Sequence, residues 1–332
     1  MSALDRWKLS YRQFCCIYAL AKPNWVGSAP NSALIFSVLR GYSMDMSSFV
    51  QRIRNTQART ILDAYFARSC TVLVLLGLLV EPAWGDPSIG GDSGDTVDPS
   101  SLSLTFSEEF DALDVSEWGP DTRWIAHTPW SGDFGGARFS APMDGFPFTT
   151  ENGLLRIEAS RDKADQWRSG LLASVDPKGK GFAQQYGYFE MRARLPIGPG
   201  VWPAFWLIGL DRSKATAEVD VMEYYGDKPG GYSTAVHVWH RDAPPSSKGK
   251  RINVFRDADP TSFHTYGVKI DPMFIRMYFD GQMVWKADTQ EQHRQPMYIL
   301  LNLALVDEET RNQAPDPSYM FVDHVRAYSI EQ

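Results

Sequence analysis

Residues 217–224, Ala-Glu-Val-Asp-Val-Met-Glu-Tyr, place three carboxylates, Glu218, Asp220 and Glu223, within six positions and interleave them with Val219, Val221 and Met222. Apolar and polar residues alternating with a period of two mark a β-strand with one face on a core. Side chains alternate across a strand, so Glu218 and Asp220 share a face. Glu223 has the opposite parity, and a single β-bulge at Val221–Met222 returns it to their side. The competing reading is an exposed strand whose acids are a solvated edge. Three acids in one groove repel and raise each other's pKa. That arrangement suits an enzyme needing an ionised carboxylate and a protonated carboxyl on either side of a bond.

The neighbouring segments favour the groove. Upstream, Trp202, Ala204 and Trp206 fall on one parity, with Phe205 and Leu207 on the other. Downstream, His237 and Trp239 share a face opposite Val236 and Val238. Acids on one strand and flat rings on the next form a carbohydrate groove, because aromatic rings stack on the apolar faces of sugars. For His237 a satisfied core histidine and a substrate contact both remain open.

From Leu102 onward the chain reads as short strands separated by turns: Gly153–Ala159, Gly187–Leu195, Thr265–Ile270, Ile275–Phe279 and Phe321–Tyr328. Asp280-Gly281 before Gln282–Trp285 is a hairpin signal. No amphipathic helix longer than two turns and no internal repeat is present, so the region 102–332 is expected to be an all-β sandwich of jelly-roll type.

All three cysteines, Cys15, Cys16 and Cys70, precede residue 71, so the remainder has no disulfide framework, cysteine zinc site or thiol nucleophile. From residue 86 onward 36 acidic side chains face 24 basic ones, which argues against nucleic acid or an anionic membrane as partner. No phosphate loop or dinucleotide fingerprint occurs; Gly132-Asp133-Phe134-Gly135-Gly136 lacks the spacing and reads as a loop. Trp124, His127 and Trp130 make the preceding stretch aromatic, either as a groove rim or as ordinary loop packing.

Residues 71–80 are strongly apolar, follow Arg52, Arg54, Arg59 and Arg68, and precede Ala83-Trp84-Gly85. This is the layout of a signal peptide cleaved near Gly85; a buried helix or an uncleaved anchor are the alternatives. Residues 1–85 are therefore expected to be a leader, with Met44 or Met46 a more natural start. Residues 86–101, rich in Gly, Ser, Asp and Pro, read as a flexible linker.

Glu218-Val219-Asp220-Val221-Met222-Glu223 resembles the Glu-x-Asp-x-x-Glu signature of glycoside hydrolase family 16 in its bulged, laminarinase-like form. Phe106–Asp111, Asn152–Ile157, Tyr186–Arg192, Gly200–Trp206, Ile299–Ala304 and Phe321–Tyr328 resemble that family's other strands in the same order. The resemblance implies a concave β-sandwich and a retaining mechanism. Glu218 would be nucleophile, Glu223 acid/base, and Asp220 would orient the nucleophile. Trp202, Trp206, His237 and Trp239, with Trp124, Trp130 and Asn302, would line sugar subsites. No cofactor would be needed for catalysis. A structural calcium would use Glu109, Gly153 and Asp323, mostly through backbone oxygens. One departure is Ser169-Gly170-Leu171, where many laminarinase-like members have Ser-Gly-Arg; Arg168 lies nearby.

The expectation is a secreted or periplasmic, monomeric endo-β-glycanase acting on β-1,3 or mixed β-1,3/1,4 glucan, without stable membrane insertion. The alternatives are an exopolysaccharide depolymerase or transglycosylase on the same fold, and a non-catalytic glycan-binding sandwich. The last has no need of three intact acids.

Overall fold

The computed structural model describes residues 96–306 and 308–330. The expected leader, its apolar run 71–80 and the cleavage position near Gly85 lie outside the described residues. Among the described residues, no helix is long and apolar enough to cross a membrane.

The described chain is an all-β sandwich of two sheets, with ten and nine strands. The nine-stranded groove sheet runs Ser246–Ile252, Tyr232–His240, Ala215–Glu223, Val201–Gly209, Met297–Leu305, Leu171–Ala173, Trp124–Ile125, Val115–Ser116 in spatial order, with Ala183–Gln184 paired to Met297–Leu305 off this path. The outer sheet is centred on Gly187–Arg194 and Ser318–Ser329. Both Asp280 (φ 49°) and Gly281 (φ 77°) are left-handed, as a tight two-residue hairpin between Phe274–Phe279 and Gln282–Asp288 demands.

The sheets meet through one apolar layer. Phe189, Met191 and Ala193 of the outer sheet pack in the same cluster as Phe205, Leu207, Val219, Val236, Ile299, Leu301 and Leu303 of the groove sheet. Both sheets contribute at intervals of two; on the groove sheet the opposite parity points into the groove, and on the outer sheet it points outward, as Tyr188 does. Met297–Leu305 breaks the alternation: all nine residues are buried. A second cluster explains it, in which Tyr298, Leu300 and Ala304 pack with Ile208, Ala204, Trp206, Leu171 and Phe139 on the groove side. A strand covered on both faces reads as a continuous apolar run.

The expected linker 86–101 needs correction at its end. Thr96 bridges to Gln282, Val97 N donates to Gly281 O, and Pro99–Ser101 form a 3-10 turn capped by Asp98. Val97 and Leu102 then pack on Tyr188, Tyr278 and Tyr328 of the outer sheet. Burying this aromatic patch holds a segment whose composition alone reads as flexible.

Candidate active site

The acid strand Ala215–Glu223 pairs with Val201–Gly209 on one side and Tyr232–His240 on the other. Phe205 faces Met222, but Trp206 faces Asp220, so Val221 is an extra residue opposite the partner strand. The register toward Tyr232–His240 slips at the same place. Val221 and Met222 both enter the inter-sheet core. This is the expected bulge, and it returns Glu223 to the face of Glu218 and Asp220. All three acids line one cavity with Trp202, Ala204, Trp206, Asn302, Trp130, Gly132, Asp133 and Phe134.

Each acid is held by neighbours. Trp239 Nε1 donates to Glu218 Oε2 at 2.9 Å. Trp239 is 43% exposed and stacks on His237 with ring centres 5.1 Å apart. His237 Nε2 lies 3.0 Å from Asp220 Oδ2, and its Nδ1 is 2.6 Å from Ser247 Oγ. Glu223 Oε1 accepts from Trp202 Nε1 at 3.1 Å and from the Tyr225 hydroxyl at 2.9 Å. Glu218, Asp220 and His237 present ligand atoms within 4.8 Å of one another, the spacing of a cation site as well as of a hydrogen-bonded cluster.

Burial, and then the Asp220 charge, push the Glu218 carboxyl up to about 8. Burial first, then the Glu223 charge, hold Asp220 well above the usual carboxylate range. Crowded carboxyls out of water cannot all ionise together. Glu218 and Asp220 therefore bind protons as a pair rather than as independent acids.

Four of the expected tryptophans, Trp202, Trp206, Trp130 and Trp239, are on the groove side, as is Asn302. Trp206 is only 7% exposed, packed against Trp130 and Phe134 edges 6.2 and 5.7 Å away, and its Nε1 donates to the buried Asn302 Oδ1 at 2.9 Å. It is a floor beneath the loop, not an open platform. Trp130 is 36% exposed, with the Arg212 guanidinium 4.0 Å from its ring centre.

Trp124 is a correction. It is fully buried, belongs to the inter-sheet core, and donates Nε1 to the buried Glu108 at 2.9 Å. In the two-residue strand Trp124–Ile125, Ile125 takes the groove parity and Trp124 the inner one.

Gly135 and Gly136 serve a close backbone approach. A Cβ on them would come within 2.4 Å of Leu305 O and 2.2 Å of Val306 O. That approach clamps the loop along the strand end and swings Phe134 over the groove. Leu171 sits in the second apolar cluster, and Arg168 pairs with Asp162 at 2.8 Å, so neither offers a charge to the groove.

Sequence reasoning missed Tyr225, Phe134 and Ser247. For Tyr225 a signal existed: once the bulge is placed, Tyr225 has the parity of Glu223. Phe134 and Ser247 carry no local signal.

The residues proposed for calcium lie on the other sheet. A Cβ on Gly153, whose φ is +72°, would lie 3.6 Å from Glu109 O and 3.7 Å from Asp111 Oδ1, so these oxygens do converge. The Glu109 carboxylate is forked with Arg326 at 2.7 Å, a pairing that lowers it to about 2. The Asp323 carboxylate meets Arg192 at 3.0 Å and His324 at 2.9 Å. Backbone oxygens therefore fit a hard cation better than these two carboxylates do.

The pattern of Glycosyl hydrolases family 16 matches residues 143–320. The chain is 34% identical over 259 residues to endo-1,3-1,4-beta-glycanase ExsH of Rhizobium meliloti (strain 1021), over 71% of this chain and 54% of that protein. It is 31% identical over 257 residues to EglC of the same organism, over 71% and 53%. The chain thus spans about half the length of these curated relatives. SCLam, a non-specific endo-beta-1,3(4)-glucanase from family GH16, has a crystal structure that superposes with a TM-score of 0.58 at 26% identity, over 71% of this chain and 94% of that one. The family pattern covers more than half of the chain and spans the bulged acid strand, and the chain belongs to glycosyl hydrolases family 16.

Proposed function

We propose that the protein is an exported endo-β-glycanase that hydrolyses internal β-1,3 or mixed β-1,3/1,4 glucan bonds with retention. The observation that carries the reading is the bulged strand that sets Glu218, Asp220 and Glu223 side by side in an aromatic groove. The names of ExsH, EglC and SCLam support the substrate class.

In the first step an ionised Glu218 attacks the anomeric carbon while Glu223 gives its proton to the departing glycosidic oxygen. The product is a glycosyl ester on Glu218. In the second step Glu223 takes a proton from water, the water oxygen attacks the same carbon, and Glu218 leaves as carboxylate. Asp220 shares a proton with Glu218, which lets Glu218 ionise for attack, favours its departure afterwards and keeps total charge in the buried cluster low. Trp130, Trp202 and Trp239 hold the sugar rings.

Export through residues 71–80 with cleavage near Gly85, and action as a monomer, complete the reading. A structural calcium would be held by backbone oxygens of Glu109, Gly153 and Asp323.

Laminarin, mixed-linkage β-glucan and bacterial exopolysaccharides should be compared by product analysis. Internal cleavage giving a first product with the β-anomer by proton NMR is expected. An initial α-anomer from a β-glucan would overturn the mechanism, and binding without turnover on every polymer would favour a glycan-binding module.

A further inference from the structure

Glu223 is bonded asymmetrically. Oε1 accepts two hydrogen bonds, from Trp202 Nε1 at 3.1 Å and from the Tyr225 hydroxyl at 2.9 Å, while Oε2 has no partner among the described residues. The two donors are also packed on one another, with the Trp202 and Tyr225 rings stacked at 5.4 Å and 25°. Backbone pairing carries this arrangement past the end of the acid strand: Tyr224 N donates to Pro203 O and Gly226 N to Val201 O, both at 3.0 Å. Tyr224 is turned into the core and Tyr225 to the groove by ordinary alternation.

We propose that Tyr225 is the positioning residue of the acid/base, confining the catalytic proton of Glu223 to Oε2. The inference rests on Glu223 being the acid/base. A protonated carboxyl has one hydroxyl oxygen, which donates, and one carbonyl oxygen, which accepts. An oxygen already receiving two N–H or O–H donors is the carbonyl oxygen. The proton therefore sits on Oε2, the atom left for the glycosidic oxygen and afterwards for the attacking water. The stack on Trp202 fixes the rotation of the carboxyl so that both donors reach the same atom.

Tyr225 keeps its hydrogen bond to Glu223 Oε1 through both steps. Burial and the adjoining Glu223 charge push the Tyr225 hydroxyl far above its ordinary range, so it stays a neutral donor throughout.

Tyr225→Phe keeps the ring and its stack and removes only the O–H. On β-glucan, kcat is expected to fall roughly 5- to 20-fold with KM within about twofold, the loss of a hydrogen bond to a charged group. An aryl glycoside whose leaving group needs no protonation should undergo the first step at near wild-type rate. A residue of purely structural importance would lower Tm and slow the aryl glycoside as much as the glucan, and that result overturns the proposal. Glu223→Gln is the control. If it abolishes glucan turnover while Tyr225→Phe leaves kcat on glucan unchanged, only the role of Tyr225 fails. If Glu223→Gln retains turnover, the assignment beneath it fails.

Discussion

Replacing Glu218 should stabilise the protein, increasingly as pH rises from about 5 to about 8. Glu218 has its carboxyl raised from 4.5 to about 8, chiefly by burial and then by Asp220. The folded state thus binds this proton more tightly than the unfolded chain does. The stability it contributes is complete below about pH 4.5 and is lost as pH rises toward about 8. One pKa unit corresponds to about 1.4 kcal/mol, so the whole span has a ceiling of roughly 4–5 kcal/mol. The proton is shared with Asp220, and water entry softens the loss. Even about 2 kcal/mol moves the Tm of a domain of this size by roughly 4–8 °C. Glu218→Gln replaces the group with a neutral side chain whose oxygen can still accept from Trp239 Nε1. The variant should melt close to wild type near pH 5 and several degrees above it near pH 9, by calorimetry. A Tm difference independent of pH, or one that favours wild type as pH rises, would refute the reasoning.

Five further outcomes are expected. Glu218→Gln and Glu223→Gln should each lower kcat on β-glucan by at least about a thousandfold, with near-UV circular dichroism unchanged, since each removes a group that acts on the reacting bond. Trp206→Ala should cost roughly 3–5 kcal/mol in denaturant unfolding, as for a core aromatic. Trp130→Ala, at an exposed groove position, should leave Tm within about 2 °C and raise KM severalfold; equal Tm losses for the two would mean that the loop does not cover Trp206. A chain starting at Leu102 should melt several degrees below one starting at Pro87, because residues 96–101 and their cover over Tyr188, Tyr278 and Tyr328 are gone; for calcium, chelation followed by readdition should lower and then restore Tm without changing kcat at low temperature.

Much of the site was legible because a strand repeats every two residues. Parity alone set Glu218 with Asp220, Trp202 with Trp206, and His237 with Trp239, and one extra residue at Val221 accounts for Glu223. The Asp280-Gly281 hairpin was equally local, since only φ > 0 at both positions closes so short a turn. The strand ends moved by a few residues because pairing, not composition, ends a strand: Ser318–Ser329 extends past the expected Phe321–Tyr328 to meet three partners.

What parity cannot say is which side of a sheet is covered, and by what. Trp124 and Trp130 lie six residues apart in one aromatic stretch, yet one is sealed in the core and the other faces the groove. The loop that overlies Trp206 is anchored by Gly136 N to Leu305 O, across 169 residues of chain. Residues 96–101 are ordered by tyrosines far along the sequence. The protonation of the acids is in large part a tertiary property, because burial, its largest cause, comes from segments packed against the cluster, while the neighbouring charges lie on the same strand. The sequence by itself determined the order of strands and the face each acid takes; tertiary packing decided exposure, hydrogen-bond partners and charge, since these depend on segments that meet only in the folded chain.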